Sequence, residues 1–202
     1  MHIENHKEEV PFSYYADLFA QADPAEISAR LDLPFENGAF SLRLLGKTYT
    51  VTHPASTVTG ADDGAVPPLP VQTFLLRWLL EGKLVPWQGQ WKTFREMPWG
   101  ELYIQPYTGR VLTRAAYTFA TRLAAFRAAC EKLGAAPVPN GDAGYELEFL
   151  PGMSMRILLW EADEEFPPSA QVLYTDNFAD ALAPEDRVVA GDLLIGRVKA
   201  AM

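Results

Sequence analysis

The sequence predicts an α+β fold: mainly antiparallel sheets built from hairpins, packed against a long central helix and several shorter helices. Three observations carry the prediction. Ala39 to His53 alternates apolar and polar residues on both sides of a Gly46-Lys47 turn, the pattern of a hairpin with one face buried. Thr108 to Leu133 repeats apolar residues at three- and four-residue steps, the stripe of a core-facing helix. Arg156 to Asn177 reads as a strand, an acidic turn closed by Pro167-Pro168, and a returning strand. Helices and hairpins come in blocks without a βαβαβ rhythm, which separates α+β from α/β.

Taken in order, residues 1–11 read as a polar, flexible tail, and 12–202 as a single domain, or as two lobes, 12–107 and 108–202. Phe12, Tyr15, Leu18 and Phe19 are spaced for a short helix. Asp23 and Pro24 supply an N-cap and a first-turn proline for a second one, with Ile27 and Leu31 on its apolar side. Residues 54–70 read as loop. Val71 to Glu81 is a short buried helix stopped by Gly82. Pro86 to Tyr107 is rich in aromatics and broken by Gly and Pro. It reads as an extended segment with one short strand at Glu101 to Gln105.

The long helix carries Leu112, Ala115, Ala116, Phe119, Leu123, Phe126, Cys130 and Leu133 on one stripe, and Gly134 ends it. A linker follows, then strands Tyr145 to Leu150 and Ser154 to Trp160, the acidic loop and its return strand. Glu185 to Lys199 is the last helix. Its Gly191 and Gly196 each weaken it by ~1 kcal/mol, so both are expected where a neighbour comes close.

Composition limits the function. Of 202 residues 49% are hydrophobic and 21% charged, which fits a globular chain. A net charge of −9 argues against a nucleic-acid binder, which needs clustered Lys and Arg, and against an anionic membrane surface. No apolar run reaches the ~18 residues of a membrane span, and the first residues lack a signal-peptide core, so cytoplasm is the expected compartment. The single cysteine, Cys130, lies on the apolar stripe and reads as a buried thiol. It can neither form an internal disulfide nor ligate an iron–sulfur cluster alone. No cofactor is predicted.

Two stretches are candidates for function. Trp87, Trp91, Arg95, Trp99 and Tyr103 could line a groove for a planar ligand, a sugar or a peptide, or could fold back to cover their own core. Glu161, Asp163 and Glu164, with Glu165 and Asp176, could offer carboxylate oxygens to a hard cation or a carboxylate pair for acid/base work. The alternative is a solvated turn. The loop lacks EF-hand spacing. His2 and His6 are at helical spacing but make no cluster with His53. Gly-x-Ser-x-Gly, P-loop and dinucleotide fingerprints are absent.

The segments LLWEADEEFPPSAQVLYTDN and PEDRVVAGDLLIGRV resemble the closing part of an uncharacterised prokaryotic family, domain of unknown function 3786. FSLRLLGKTYTV, VQTFLLRWLLEGK and WKTFREMPWGELY fit the same order, so the resemblance runs from about residue 15 to 198. It implies a setting in anaerobic bacteria or archaea. It supplies no catalytic residues. Some members carry an iron–sulfur label, which Cys130 alone cannot honour. Three functions remain in view: a non-enzymatic binding or accessory module with a small-molecule or protein partner, a small metal- or carboxylate-dependent enzyme, and a structural or oligomerisation domain.

Overall fold

The computed structural model describes residues 6–202, which form two compact units divided between Val85 and Pro86. The boundary therefore precedes the aromatic-rich segment instead of following it at residue 107.

The first unit opens with α1 (His6–Gln21) and α2 (Pro24–Leu31). The expected tail is helical from His6, because Glu8 and Glu9 sit favourably in the first turn and continue the Phe12–Phe19 pattern backwards. Asp23 caps α2, its Oδ1 accepting the Ala25 N–H at 2.8 Å. Four strands follow: β1 (Phe35–Glu36), β2 (Ala39–Leu44), β3 (Lys47–Thr52) and β4 (Val58–Gly60), in that spatial order and all antiparallel. The β2–β3 turn is Leu45-Gly46, one residue earlier than expected. Both residues have positive φ, 47° and 76°, as a two-residue turn matching the strand twist requires. β4 lies in the stretch expected as loop.

α3 (Leu69–Glu81) packs on α1 and buries Phe74, Leu75, Leu76 and Leu79. The Arg30 guanidinium donates to the carbonyls of Leu79 and Gly82, satisfying the C-terminal end of that helix.

The second unit begins with β5 (Trp91–Thr93) and a 3₁₀ turn at Phe94–Glu96. A nearly continuous helical run follows. It comprises α4 (Gly100–Tyr107), a π-helical stretch at Thr108–Thr113, α5 (Arg114–Phe119), a 3₁₀ turn at Ala120–Arg122 and α6 (Leu123–Lys132). The strand expected at Glu101 to Gln105 is thus helix. Its alternation of Leu102 and Ile104 imitates a strand, but packing places Tyr107 inside and leaves Leu102 exposed. The expected stripe is buried at Ala115, Ala116, Phe119, Phe126 and Cys130, and half-buried at Leu112, Leu123 and Leu133.

β6 (Ala136–Pro137), β7 (Ala143–Leu150), β8 (Met153–Trp160) and β9 (Ser169–Thr175) come next, then α7 (Phe178–Ala181) and α8 (Pro184–Ala201). The antiparallel sheet has the order β5-β9-β8-β7-β6. β7, β8 and β9 are in the register Tyr145↔Ile157↔Val172 and bury alternate residues: Leu147 and Phe149, Met155 and Leu159, Val172 and Tyr174. α5 packs on β8 and β9, and α8 packs on α6 and the π stretch. Gly191 makes that approach possible. A Cβ there would stand 2.8 Å from Val111 Cγ2 and 3.1 Å from the Tyr174 hydroxyl. Gly196 has no such neighbour, so its expected close approach is absent.

Candidate functional site

A cleft of about 330 Å³ opens in the second unit where β5 ends and the helical run changes pitch. Its position follows from local chemistry. β5 stops after three residues because Thr93 and Glu96 form a capping box that turns the chain. Glu96 Oε2 accepts the Thr93 N–H and the Thr93 hydroxyl, each at 2.7 Å, and these bonds hold the Glu96 carboxyl below its usual pKa. The turn delivers Phe94 into the core. There its ring stacks on Tyr107 with centroids 4.1 Å apart and planes within 6°. These two buried rings line the cleft.

The helical side of the cleft is Ile104, Thr108 and Leu112. Thr108 and Leu112 belong to the π stretch, whose wider turn displaces the side chains that follow it; such stretches occur often at functional sites. Outside the cleft, Arg110 and Arg114 of this run both donate to the Asp192 carboxylate of α8, which ties the irregular turn down. The remaining rim is Thr93, Arg95 and Gln171. Arg95 Nε is 3.1 Å from Glu101 Oε1, an exposed pair. The cleft thus offers a flat apolar interior, neutral hydrogen-bonding groups at Thr93, Thr108 and Gln171, and one cation.

Behind it, the Tyr107 and Tyr174 hydroxyls meet at 3.1 Å, and the Arg187 carbonyl lies 3.3 Å from Tyr174 Oη. Burial pushes both phenols well above their ordinary pKa. The Arg187 guanidinium is itself buried, donating from Nη1 to the Pro98 carbonyl and from Nε to that of Leu182.

The five aromatic-stretch residues fall in four surroundings. Trp87 and Trp91 meet edge to face at 5.8 Å. The face of Trp91 is taken by Arg156, whose Cζ lies 3.9 Å from the ring centroid while its Nε bonds Glu146 Oε2 at 3.0 Å. Arg95 lines the cleft. Trp99 is 68% exposed just before α4, and the Tyr103 hydroxyl donates to Glu185 Oε1 at 2.6 Å.

The acidic residues are also divided. Glu161, Asp163, Glu164 and Glu165 are exposed, and Asp163 Oδ1 accepts the N–H groups of Glu165 and Phe166, which makes it a turn-former. Asp176 follows the far end of the seven-residue β9, about 23 Å along a strand of that length. There its two oxygens accept the Gln88 and Gln90 N–H groups at 3.0 and 3.1 Å. It therefore fastens the segment before β5 and does not join the loop. Among the described residues no group of three or more His, Cys, Asp or Glu side chains is placed to hold a metal ion. The side chains of His2 and His6 lie outside the described residues. Cys130 is buried, and desolvation pushes its thiol up to about 12.

Phe94 and Tyr107 were visible in the sequence as members of the aromatic stretch. Thr108, Leu112 and Gln171 carried no signal that would join them to Arg95.

Fold and cleft together define an α+β protein with a pre-formed, aromatic-lined cleft in its second unit. A family model described as Domain of unknown function (DUF3786) matches residues 23–197, and the chain belongs to that family. Comparison with curated proteins and with solved structures finds no match. Among the described residues no helix is long and apolar enough to cross a membrane.

Proposed function

We propose that the protein is a non-enzymatic binding module of the prokaryotic cytoplasm, and that it takes its ligand in the cleft between β5, the π stretch and β9. The observation that carries this reading is the lining itself. Its titratable members are Arg95 and Tyr107. Arg95 is held by Glu101, and the Tyr107 phenol is pushed far above neutrality by burial. General acid–base catalysis needs a group that exchanges protons near the working pH, and this lining supplies none. Recognition needs an apolar bed with a few directed polar groups, which the stacked Phe94 and Tyr107 rings with Thr93, Thr108 and Gln171 do supply. The volume suits a small planar molecule or a few residues of a peptide.

Ligand-observed NMR on the full chain tests this, with a pool of small aromatic and amide fragments as probes. Thr108→Trp fills the cleft from an exposed position. Fragment signals present with the native chain should vanish with that variant while its melting temperature is kept. Fragment binding indifferent to Thr108→Trp would remove the cleft from consideration.

A further inference from the structure

The polar groups around the cleft differ in what their own hydrogen bonds leave free. The Thr93 hydroxyl donates to Glu96 Oε2 at 2.7 Å. Glu96 is held below its usual pKa, so at neutral pH it is ionised and only accepts. The Thr93 proton is therefore committed, and its oxygen presents an acceptor to the cleft. Gln171 is half-buried, and among the described residues its carboxamide has no hydrogen-bond partner. It presents an unused donor and an unused acceptor side by side in one plane. Register brings the two residues together. Thr93 pairs with Leu173, and Gln171 lies two residues further along β9 on the same face. Such diagonal neighbours stand about 7–8 Å apart, a gap that admits one small polar group between them. The surrounding charge favours a neutral one. The cation of the rim, Arg95, is engaged by Glu101 at 3.1 Å, and the Glu96 carboxylate stands behind Thr93, so an anion would meet two carboxylates and no free cation.

We infer that the cleft takes a neutral planar molecule bearing a primary carboxamide, which Thr93 and Gln171 recognise together. The inference rests on the reading of the cleft as a binding site and names its ligand class. One ligand N–H donates to the Thr93 oxygen. The other donates to Gln171 Oε1 while the ligand carbonyl accepts from Gln171 Nε2, a reciprocal pair of planar amides. The ring that carries the carboxamide lies against Ile104 and Leu112, both half-buried. A site that hydrogen-bonds a ligand group rejects analogues lacking it, because its own polar groups are then left unpaired.

Benzamide is the probe, titrated into the full chain by ligand-observed NMR beside benzoate and N,N-dimethylbenzamide. Benzoate lacks the N–H donors and brings a negative charge. The dimethyl amide keeps the carbonyl and lacks the donors. Benzamide should bind about tenfold more tightly than either. Gln171→Leu should weaken benzamide by about tenfold with the melting temperature kept. Gln171→Glu leaves an acceptor alone at that position, and should exchange the preference: benzamide is lost and benzamidine, its cationic isostere with donors on both sides, is taken instead. A merely structural role for Gln171 would not produce that exchange. Benzoate or dimethylbenzamide bound as tightly as benzamide, benzamide binding indifferent to Gln171→Leu, a Gln171→Glu variant without preference for benzamidine, or no binding of benzamide at all would overturn the proposal. If benzamide fails while other fragments bind and are lost in Thr108→Trp, the cleft stands and the carboxamide assignment falls. If no fragment binds, both fall.

Discussion

The Tyr107 and Tyr174 hydroxyls face each other at 3.1 Å with no access to solvent, one from the helical run and one from β9. Two acceptors, the Tyr107 oxygen and the Arg187 carbonyl, compete for the Tyr174 proton; if Tyr107 donates to Tyr174, that proton is left for Arg187. The contact joins the sheet, the cleft lining and α8. Tyr174→Phe leaves both partners short of a bond and should cost about 1–3 kcal/mol. Tyr107→Phe leaves Tyr174 its Arg187 carbonyl and should cost about 1 kcal/mol or less. Urea unfolding of the two variants checks the order.

The same burial sets the alkaline limit of stability. An acid whose folded pKa is raised keeps its proton in the native state after the unfolded chain has lost it, so stability falls as pH rises above the unfolded value. Cys130, raised from 9.0 to about 12, should begin the decline near pH 9. Tyr107 and Tyr174, both raised above 10.0, should steepen it beyond pH 10. Each group contributes up to about 1.4 kcal/mol per pH unit within its window. Chemical denaturation from pH 7 to 11 should show this, and Tyr174→Phe should flatten the upper part of the curve. Below pH 9 a thiol reagent should label Cys130 only after unfolding.

Much of this architecture can be read from the sequence, for physical reasons. The β2–β3 hairpin, the Asp23-Pro24 start of α2 and the strands β7 to β9 are set by local patterns that packing reinforces. Alternation puts Leu42 and Tyr49 on the buried face, but the register that pairs them is set by the Leu45-Gly46 turn, one residue from the Gly46-Lys47 turn that the sequence suggests. α4 looks like a strand in the sequence because Leu102 and Ile104 alternate, while the fact that decides its state, the stacking of Tyr107 on Phe94, is a contact across thirteen positions. The cleft was legible only at Arg95 and its aromatic neighbours. Gln171 arrives from a strand eighty residues away in rough terms, and a π turn has no composition of its own.

Asp176 should behave as a fastener of the segment before β5. Its carboxylate accepts two main-chain N–H groups, so Asp176→Ala should destabilise the chain by about 2–3 kcal/mol. Asp176→Asn, which keeps one acceptor, should cost less. The melting temperature of the native chain should be the same in EDTA and in millimolar Mg²⁺ or Ca²⁺. A metal-dependent rise would return the carboxylates to consideration as ligands.

Trp99 is held at φ 65°, a left-handed conformation that costs a non-glycine residue about 1–2 kcal/mol, while its side chain is 68% exposed. Trp99→Gly should therefore raise stability by up to about 1 kcal/mol in urea unfolding. A loss of that size instead would show that the ring contributes packing.

The most direct test of the account is a ¹H–¹⁵N NMR map of the full chain during titration with the fragment pool. Shifts should concentrate at Thr93, Arg95, Thr108, Leu112 and Gln171, the residues of the cleft. Shifts centred instead on Trp87, Trp91 and Arg156, or on the acidic loop with none in the cleft, would contradict it.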